Sequence, residues 1–234
     1  MQTTNDHIVR SFTDDLNDLS AKIGMMGGQA EAILSNSTEA LVKRDADLGL
    51  RAIEADRRVD ALDAEVEAVV VRMLALRQPM AIDLRAIISA LKIAQALERI
   101  ADHSKNNAKR ALVINRAPPM EQVKSIVRLS EVAQDMLHGI LGAYANNDAD
   151  AAVRIRDRDE DLDLLYEGYF RECLTYMMED SRSITSCTHL LFIAKNIERI
   201  GDHCTSIAEN VYYAVTGDRL GPARPKADSL SAEQ

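Results

Sequence analysis

A seven-residue phrase that returns one hundred positions later constrains this chain more than any other feature. Leu97-Glu98-Arg99-Ile100-Ala101-Asp102-His103 reappears as Ile197-Glu198-Arg199-Ile200-Gly201-Asp202-His203. Upstream, Asp45-Ala46-Asp47 is repeated as Asp148-Ala149-Asp150, and Asp56 and Asp60 return as Asp159 and Asp163 at an offset of 103 residues. Matches that keep their order along the chain mark two copies of one unit. The second copy has three residues fewer between its middle and last helices. Whatever the unit is, it must build a core in roughly one hundred residues.

Its period is helical. Leu84, Ile87, Leu91 and Ala94 in the first copy recur at spacings of three and four, as do Ile126, Leu129, Ala133, Met136 or Leu137, and Ile140 in the second. The strict alternation of a strand is absent. The 10 glycines and 5 prolines are too few for a loop-rich fold. They gather where helices should stop, at Pro79, at Pro118-Pro119 and from Gly217 onward. The reading is all-α: two tandem homologous three-helix bundles, with six long antiparallel helices over about 6–43, 47–77, 80–114, 119–145, 149–179 and 183–215. Residues 1–115 make the first bundle and 116–216 the second, with 217–234 expected as a disordered tail. Pro79 suits a helix start, and Asp45 and Asp148 suit N-caps. Gly24, Gly27 and Gly28 lie inside the first helix, where each costs about 1 kcal/mol relative to alanine. Close approach of a neighbouring helix accounts for them better than a nucleotide loop, since no strand precedes them. Met25, Met26, Met177 and Met178 read as core packing.

Composition narrows the function classes. A net charge of −9 with no basic stripe argues against nucleic acid as a partner. Cys173, Cys187 and Cys204 show no CxxC spacing and are expected as reduced thiols of a cytoplasmic protein. No apolar run approaches the roughly 18 residues of a membrane span, and Met1 to Thr13 is polar where a signal core would be apolar. A membrane would be reached only through partners.

The chemistry concentrates in acid pairs four residues apart. Asp56/Asp60 and Glu98/Asp102 belong to the first copy, Asp159/Asp163 and Glu198/Asp202 to the second. Residues four apart share a helix face, where like charges repel. The last-helix pairs also continue an apolar stripe: Ile87, Leu91 and Ala94 lead to Glu98 and Asp102, and Cys187, Leu191 and Ala194 to Glu198 and Asp202. That aims carboxylates toward the bundle seam, where unpaired charge is costly. Register adds to this. Asp56 and Asp102 are equidistant from residue 79, as are Asp60 and Glu98, while the second set is centred between Asp180 and Ser181. Four carboxylates should therefore converge at one level of each hairpin. Two compensations are open: a salt-bridge network through Arg99 and Arg199, or a multinuclear cluster of iron, zinc, manganese or magnesium on the eight acids. Asn106 and Glu209 are weaker ligand candidates, since Ser206 and Lys109 replace them in the other copy. His103 and His203 are rotated away from the acids and read as surface or supporting residues.

At these residues the chain resembles the PhoU family of regulators associated with bacterial phosphate-specific transport. The resemblance rests on Arg77-Gln78-Pro79-Met80-Ala81-Ile82-Asp83-Leu84-Arg85, on Glu98 to Asp102, and on Leu191 to Gly217, and it spans the chain from the Met-Gly-Gly at 26–28 onward. The second copy lacks the Gln-Pro-x-Ala-x-Asp-Leu-Arg segment and carries Ser181-Arg182-Ser183-Ile184-Thr185 near that place. The resemblance implies paired three-helix bundles with metal clusters on the eight acids. It also implies a cytoplasmic adaptor that keeps phosphate-starvation signalling off when phosphate is plentiful. Its implied partners are a sensor histidine kinase and the ATPase of the phosphate transporter, and a homodimer is expected. A metal-free helical scaffold is the alternative. A carboxylate-bridged di-metal enzyme is disfavoured: it needs an E-x-x-H motif on each of two helices, and only Asp135-Met136-Leu137-His138 comes near. No Walker A sequence occurs, and no enzymatic activity is expected.

Overall fold

Helices follow one another along nearly the whole chain, of which a computed structural model describes residues 2–77 and 79–221. In order they are α1 (Gln2–Val42), α2 (Ala46–Arg77), α3 (Ala81–Ile114), α4 (Val123–Asn146), α5 (Ala149–Asp157), α6 (Asp159–Glu179), a 3₁₀ turn (Ser181–Ser183) and α7 (Ile184–Thr216). Among the described residues there is no strand. Helices α1 to α3 pack pairwise against one another, and α4 packs with α5, α6 and α7 in the same manner. With α5 and α6 taken as one interrupted helix, these are the six helices that the periodicity predicts.

The apolar stripes become the core. On α3, Ile87, Ile93, Ala94, Leu97 and Ile100 are fully buried, and Cys187, Ile193, Ala194, Ile197 and Ile200 are buried at the corresponding places on α7. Ile126, Leu129, Ala133, Met136, Leu137 and Ile140 bury the inner face of α4. Asp45 caps α2 by accepting the Leu48 amide at 3.0 Å, and Asp148 caps α5 by accepting that of Ala151 at 2.8 Å. Gly217 adopts φ +83° at the end of α7, a conformation glycine takes without steric cost.

Three local expectations are corrected. The helix expected over 149–179 is interrupted at Arg158, whose amide bonds to the carbonyl three residues back, as does that of Asp161. The tighter turn falls among Asp157, Asp159, Glu160 and Asp161, where regular winding would crowd like charges onto shared faces. Helix α4 starts at Val123 rather than 119, because a turn follows Pro119. Met26 is core, but Met25 is 45% exposed and Met178 88% exposed. A single step along a helix turns a side chain by about 100°, so a methionine pair straddles core and solvent. The tail expected to be disordered lies, beyond residue 221, outside the described residues.

The copies pack side by side through α3 against α7 and α1 against α4. The α1 glycines show how. A Cβ on Gly27 would meet Leu141 Cδ2 of α4 at 2.5 Å, the close approach the sequence suggests. Gly24 and Gly28 have open space instead and border an apolar cavity of about 570 Å³ between the copies. Polar links join the copies as well. Thr38 and Ser130 hydroxyls lie 2.7 Å apart, Asn196 donates to Asn107 at 2.9 Å, and the Arg110 guanidinium sits 4.1 Å from the centre of the Phe192 ring.

Candidate metal centre

The hairpin register brings the acids to a common level, and each copy then handles them differently. In the first copy Asp56 is buried, Glu98 and Asp102 are half-buried and Asp60 is exposed. Burial pushes the Glu98 carboxyl above its ordinary pKa; the Arg99 guanidinium, its Nε 3.3 Å away, opposes this, while Asp102, Asp60 and Asp63 reinforce it. Asp63 is a member the repeat does not reveal, because Tyr166 stands at its place in the second copy. Its Oδ1 is buried without a hydrogen bond, and burial, followed by Glu67 and Asp60, raises its pKa.

The other end of this level is already neutralised. Lys105, one turn beyond Asp102 on α3, places Nζ 2.6 Å from Asp56 Oδ2 and 2.7 Å from Asp102 Oδ1. Burial works against the ammonium, but hydrogen bonds to Asp102 and Asp56 outweigh it and hold its pKa above the usual lysine value. The Asp102 carboxyl is also desolvated, yet the bond from Lys105 draws its pKa below the ordinary one. Asn106 adds a 3.2 Å amide donor to the other oxygen of Asp102. A shared positive counter-ion is thus supplied by a lysine that the sequence reading did not count.

In the second copy Thr205 stands where Lys105 would be, and the lysine is at Lys195, where the first copy has Gln95. Glu198 is buried to 7% exposure between them. Lys195 Nζ lies 2.8 Å from Glu198 Oε2, although that oxygen has no aligned hydrogen bond, so the pair is held by charge more than by direction. Burial raises the Glu198 pKa, Lys195 lowers it, and Asp202 and Asp163 raise it further. Asp159 reaches the wall of α7 at Gly201, where an added Cβ would meet its Oδ1 at 3.0 Å.

Among the described residues, no three Asp, Glu, His or Cys side chains are grouped as they stand to hold a metal ion. An ion at either level requires carboxylate rotamers to change. The second copy offers the oxygen donors a multivalent ion takes, from Asp159, Asp163, Glu198 and Asp202, with the Lys195 ammonium standing against Glu198. The first copy does not fit at Asp56 and Asp102, where the Lys105 ammonium already stands.

His103 and His203, read as surface or supporting residues, are half-buried. Their rings stack across the boundary between copies with centroids 5.5 Å apart, and burial lowers both pKa values. Beside them a cavity of about 1090 Å³ is bordered by Asp60, Asp63, Glu98 and Arg99 from one copy and His203 and Glu209 from the other. Glu209 is exposed there and one of several wall residues. Cys173, Cys187 and Cys204 are free and buried, and no described helix is long and apolar enough to cross a membrane.

Duplicated three-helix bundles joined through their last helices define a class of all-helical tandem-repeat proteins. The PhoU domain model matches twice, over residues 23–111 and 126–211, and the chain belongs to the PhoU family. It is 45% identical over 227 residues, 97% of this chain and 99% of the relative, to the "Phosphate-specific transport system accessory protein PhoU homolog" of Caulobacter vibrioides. It is 39% identical to the accessory protein PhoU of Escherichia coli, covering 91% of this chain and 88% of that one. The crystal structure of PhoU from Pseudomonas aeruginosa superposes with a TM-score of 0.86 at 34% identity, over 88% of this chain and all of that one. These relatives carry the names of accessory proteins rather than of enzymes.

Proposed function

We propose that the chain is an accessory protein of phosphate-specific transport. It acts in the cytoplasm as a non-enzymatic adaptor that represses phosphate-starvation signalling. The observation that carries this reading is identity of 39–45% to named transport accessory proteins along almost the whole chain. Its partners are a sensor histidine kinase and the ATPase of the phosphate transporter, and it works as a homodimer. Deleting the gene tests the regulatory part: starvation genes should stay on in high phosphate, whereas normal repression would refute it.

The adaptor also carries metal. Asp159, Asp163, Glu198 and Asp202 hold a multivalent ion or small cluster, iron or zinc foremost, with manganese or magnesium as alternatives. The metal would supply positive charge to a half-buried acidic level and fix its rotamers. Protein purified without chelator should retain such metal through gel filtration, and Glu198→Gln with Asp202→Asn should release it. A wild-type chain without metal, equally stable in EDTA, would favour the metal-free scaffold, a reading that Lys105 already supports for the first copy.

A further inference from the structure

The cavity of about 570 Å³ between the copies is walled by residues that keep it open. Three of its wall positions are glycines inside helices, Gly24 and Gly28 on α1 and Gly142 on α4. A Cβ built on any of them meets nothing within 4 Å. Gly27 shows the usual reason for a helical glycine, since Leu141 occupies the space its side chain would need. No such neighbour accounts for the other three, and alanine would suit both helices better. Ala86 and Ala90 on α3 and Ala214 on α7 keep the remaining walls short.

The other half of the seam shows that the fold does not require this hollow. At the repeat offsets of 103 residues for α1 and α4 and 100 for α3 and α7, larger residues stand at the equivalent places. Gly24, Gly28, Gly142 and Ser89 correspond to Val127, Glu131, Glu39 and His189. There His189 lies 3.4 Å from the Arg110 guanidinium, which rests on the Phe192 ring. What one half fills with side chains, the other leaves as space.

The chemistry of the walls narrows what fits. Leu16, Leu19, Leu141 and Val211 supply apolar surface, and the walls hold neither lysine nor arginine. His138, also on the wall, is paired with Glu31 at 3.0 Å. Ser89 is different: it is 1% exposed, and its Oγ is buried without a hydrogen-bond partner. Ser104, on the same helix, satisfies itself by donating to the Ile100 carbonyl at 2.7 Å. A buried hydroxyl left without a partner costs free energy that a ligand oxygen would recover. An apolar hollow of this volume with one convergent polar group has the usual form of a small-molecule site.

We propose that this cavity binds a small uncharged amphiphile, an aliphatic body carrying one hydroxyl or carbonyl oxygen that pairs with Ser89. Phosphate, nucleotides and carboxylates are disfavoured, because no lysine or arginine meets them and Glu31 adds negative charge. The ligand would touch α1 and α3 of one copy and α4 and α7 of the other, so its binding is coupled to how the copies sit together. The cavity shares no residue with the paired acids, and the proposal depends neither on metal nor on the transport reading.

The test is calorimetric titration of the full chain with 1-octanol as the probe. One equivalent should bind, with a Kd of about 1 mM or tighter. Octanoate, the same chain length with a charged head, should bind about tenfold more weakly or worse. Gly28→Leu, which fills the space, should weaken 1-octanol about tenfold or more, and Ser89→Ala about threefold to tenfold. Gly168→Leu, at a glycine with equally open surroundings outside the cavity, should leave binding unchanged.

No binding of 1-octanol up to its solubility would overturn the proposal, as would binding that Gly28→Leu leaves intact. Octanoate binding as tightly as 1-octanol, or Ser89→Ala without effect, would overturn the class of ligand. Should Gly28→Leu fail to fold, Gly142→Leu fills the cavity from α4 and should block binding in its place. Failure of both to fold would show that the space is not free, and would also overturn the proposal.

Discussion

At Asp63 the fold holds a carboxylate among neighbours that disfavour its charge. Burial comes first, then Glu67 and Asp60, with only Arg99 opposing. A carboxyl whose folded pKa exceeds its unfolded value binds more protons when folded, so stability falls as pH rises through the folded pKa. Asp63→Asn should therefore raise the thermal midpoint at pH 7 by about 1–3 °C, a modest gain because the residue is partly solvated. The gain should fade as pH falls and the native aspartate takes up its proton; a lower midpoint at pH 7 would refute this account. The eight paired acids were legible because duplication and helical period both point to them. Asp63 was not, since Tyr166 replaces it in the other copy. Lys105 and Lys195 were overlooked because a search for equivalent residues passes over cations placed at non-equivalent ones. Their spacing of three from an acid was the signal available.

On α1 the three glycines answer to different surroundings, and substitution separates them. Gly24 and Gly28 have room for a methyl group. Alanine at either should stabilise by about 0.5–1 kcal/mol through helix propensity alone. At Gly27 the same change meets Leu141, so the gain should vanish, and Gly27→Val should cost about 1–3 kcal/mol through overpacking. Thermal melts of the variants would show whether this order holds; equal gains at all three positions would contradict it. Asp148→Ala should cost about 1 kcal/mol by removing the α5 cap, measured in the same way. Helix positions and inner faces were readable because apolar spacing reports them directly. The interruption at Arg158 was not, because Ala152 and Leu162 keep their buried places on either side of it. The local hydrogen bonding that changes there leaves no mark on the apolar pattern.

Across the whole molecule, the boundary between copies is set by α3 and α7, and its centre carries the stacked histidines. Burial lowers both imidazole pKa values, with further opposition from neighbouring positive charge. A base that is harder to protonate when folded costs stability as pH falls through its unfolded value of about 6.5. The midpoint of metal-free protein should drop between pH 7.5 and pH 6, and His103→Phe with His203→Phe should flatten that slope. An unchanged slope in the double variant would place its origin elsewhere. This packing was hidden in the sequence because the α3 face that meets α7 includes Asn107, a polar residue that is buried all the same. Period shows which side of a helix avoids water within its own bundle, and a second, mixed contact between bundles has no such signature.

The stack of His103 on His203 has a historical reading. Equivalent positions of two copies meet only on the line about which one copy turns into the other, so this contact marks a pseudo-twofold axis. A forerunner encoded by an unduplicated gene would have held, at that one histidine, a surface able to recognise itself. Fusion then freed its halves from identity. Lysines on opposite flanks of the acids, and a tyrosine against an aspartate, are divergences that a symmetric pair of separate chains has no means to acquire.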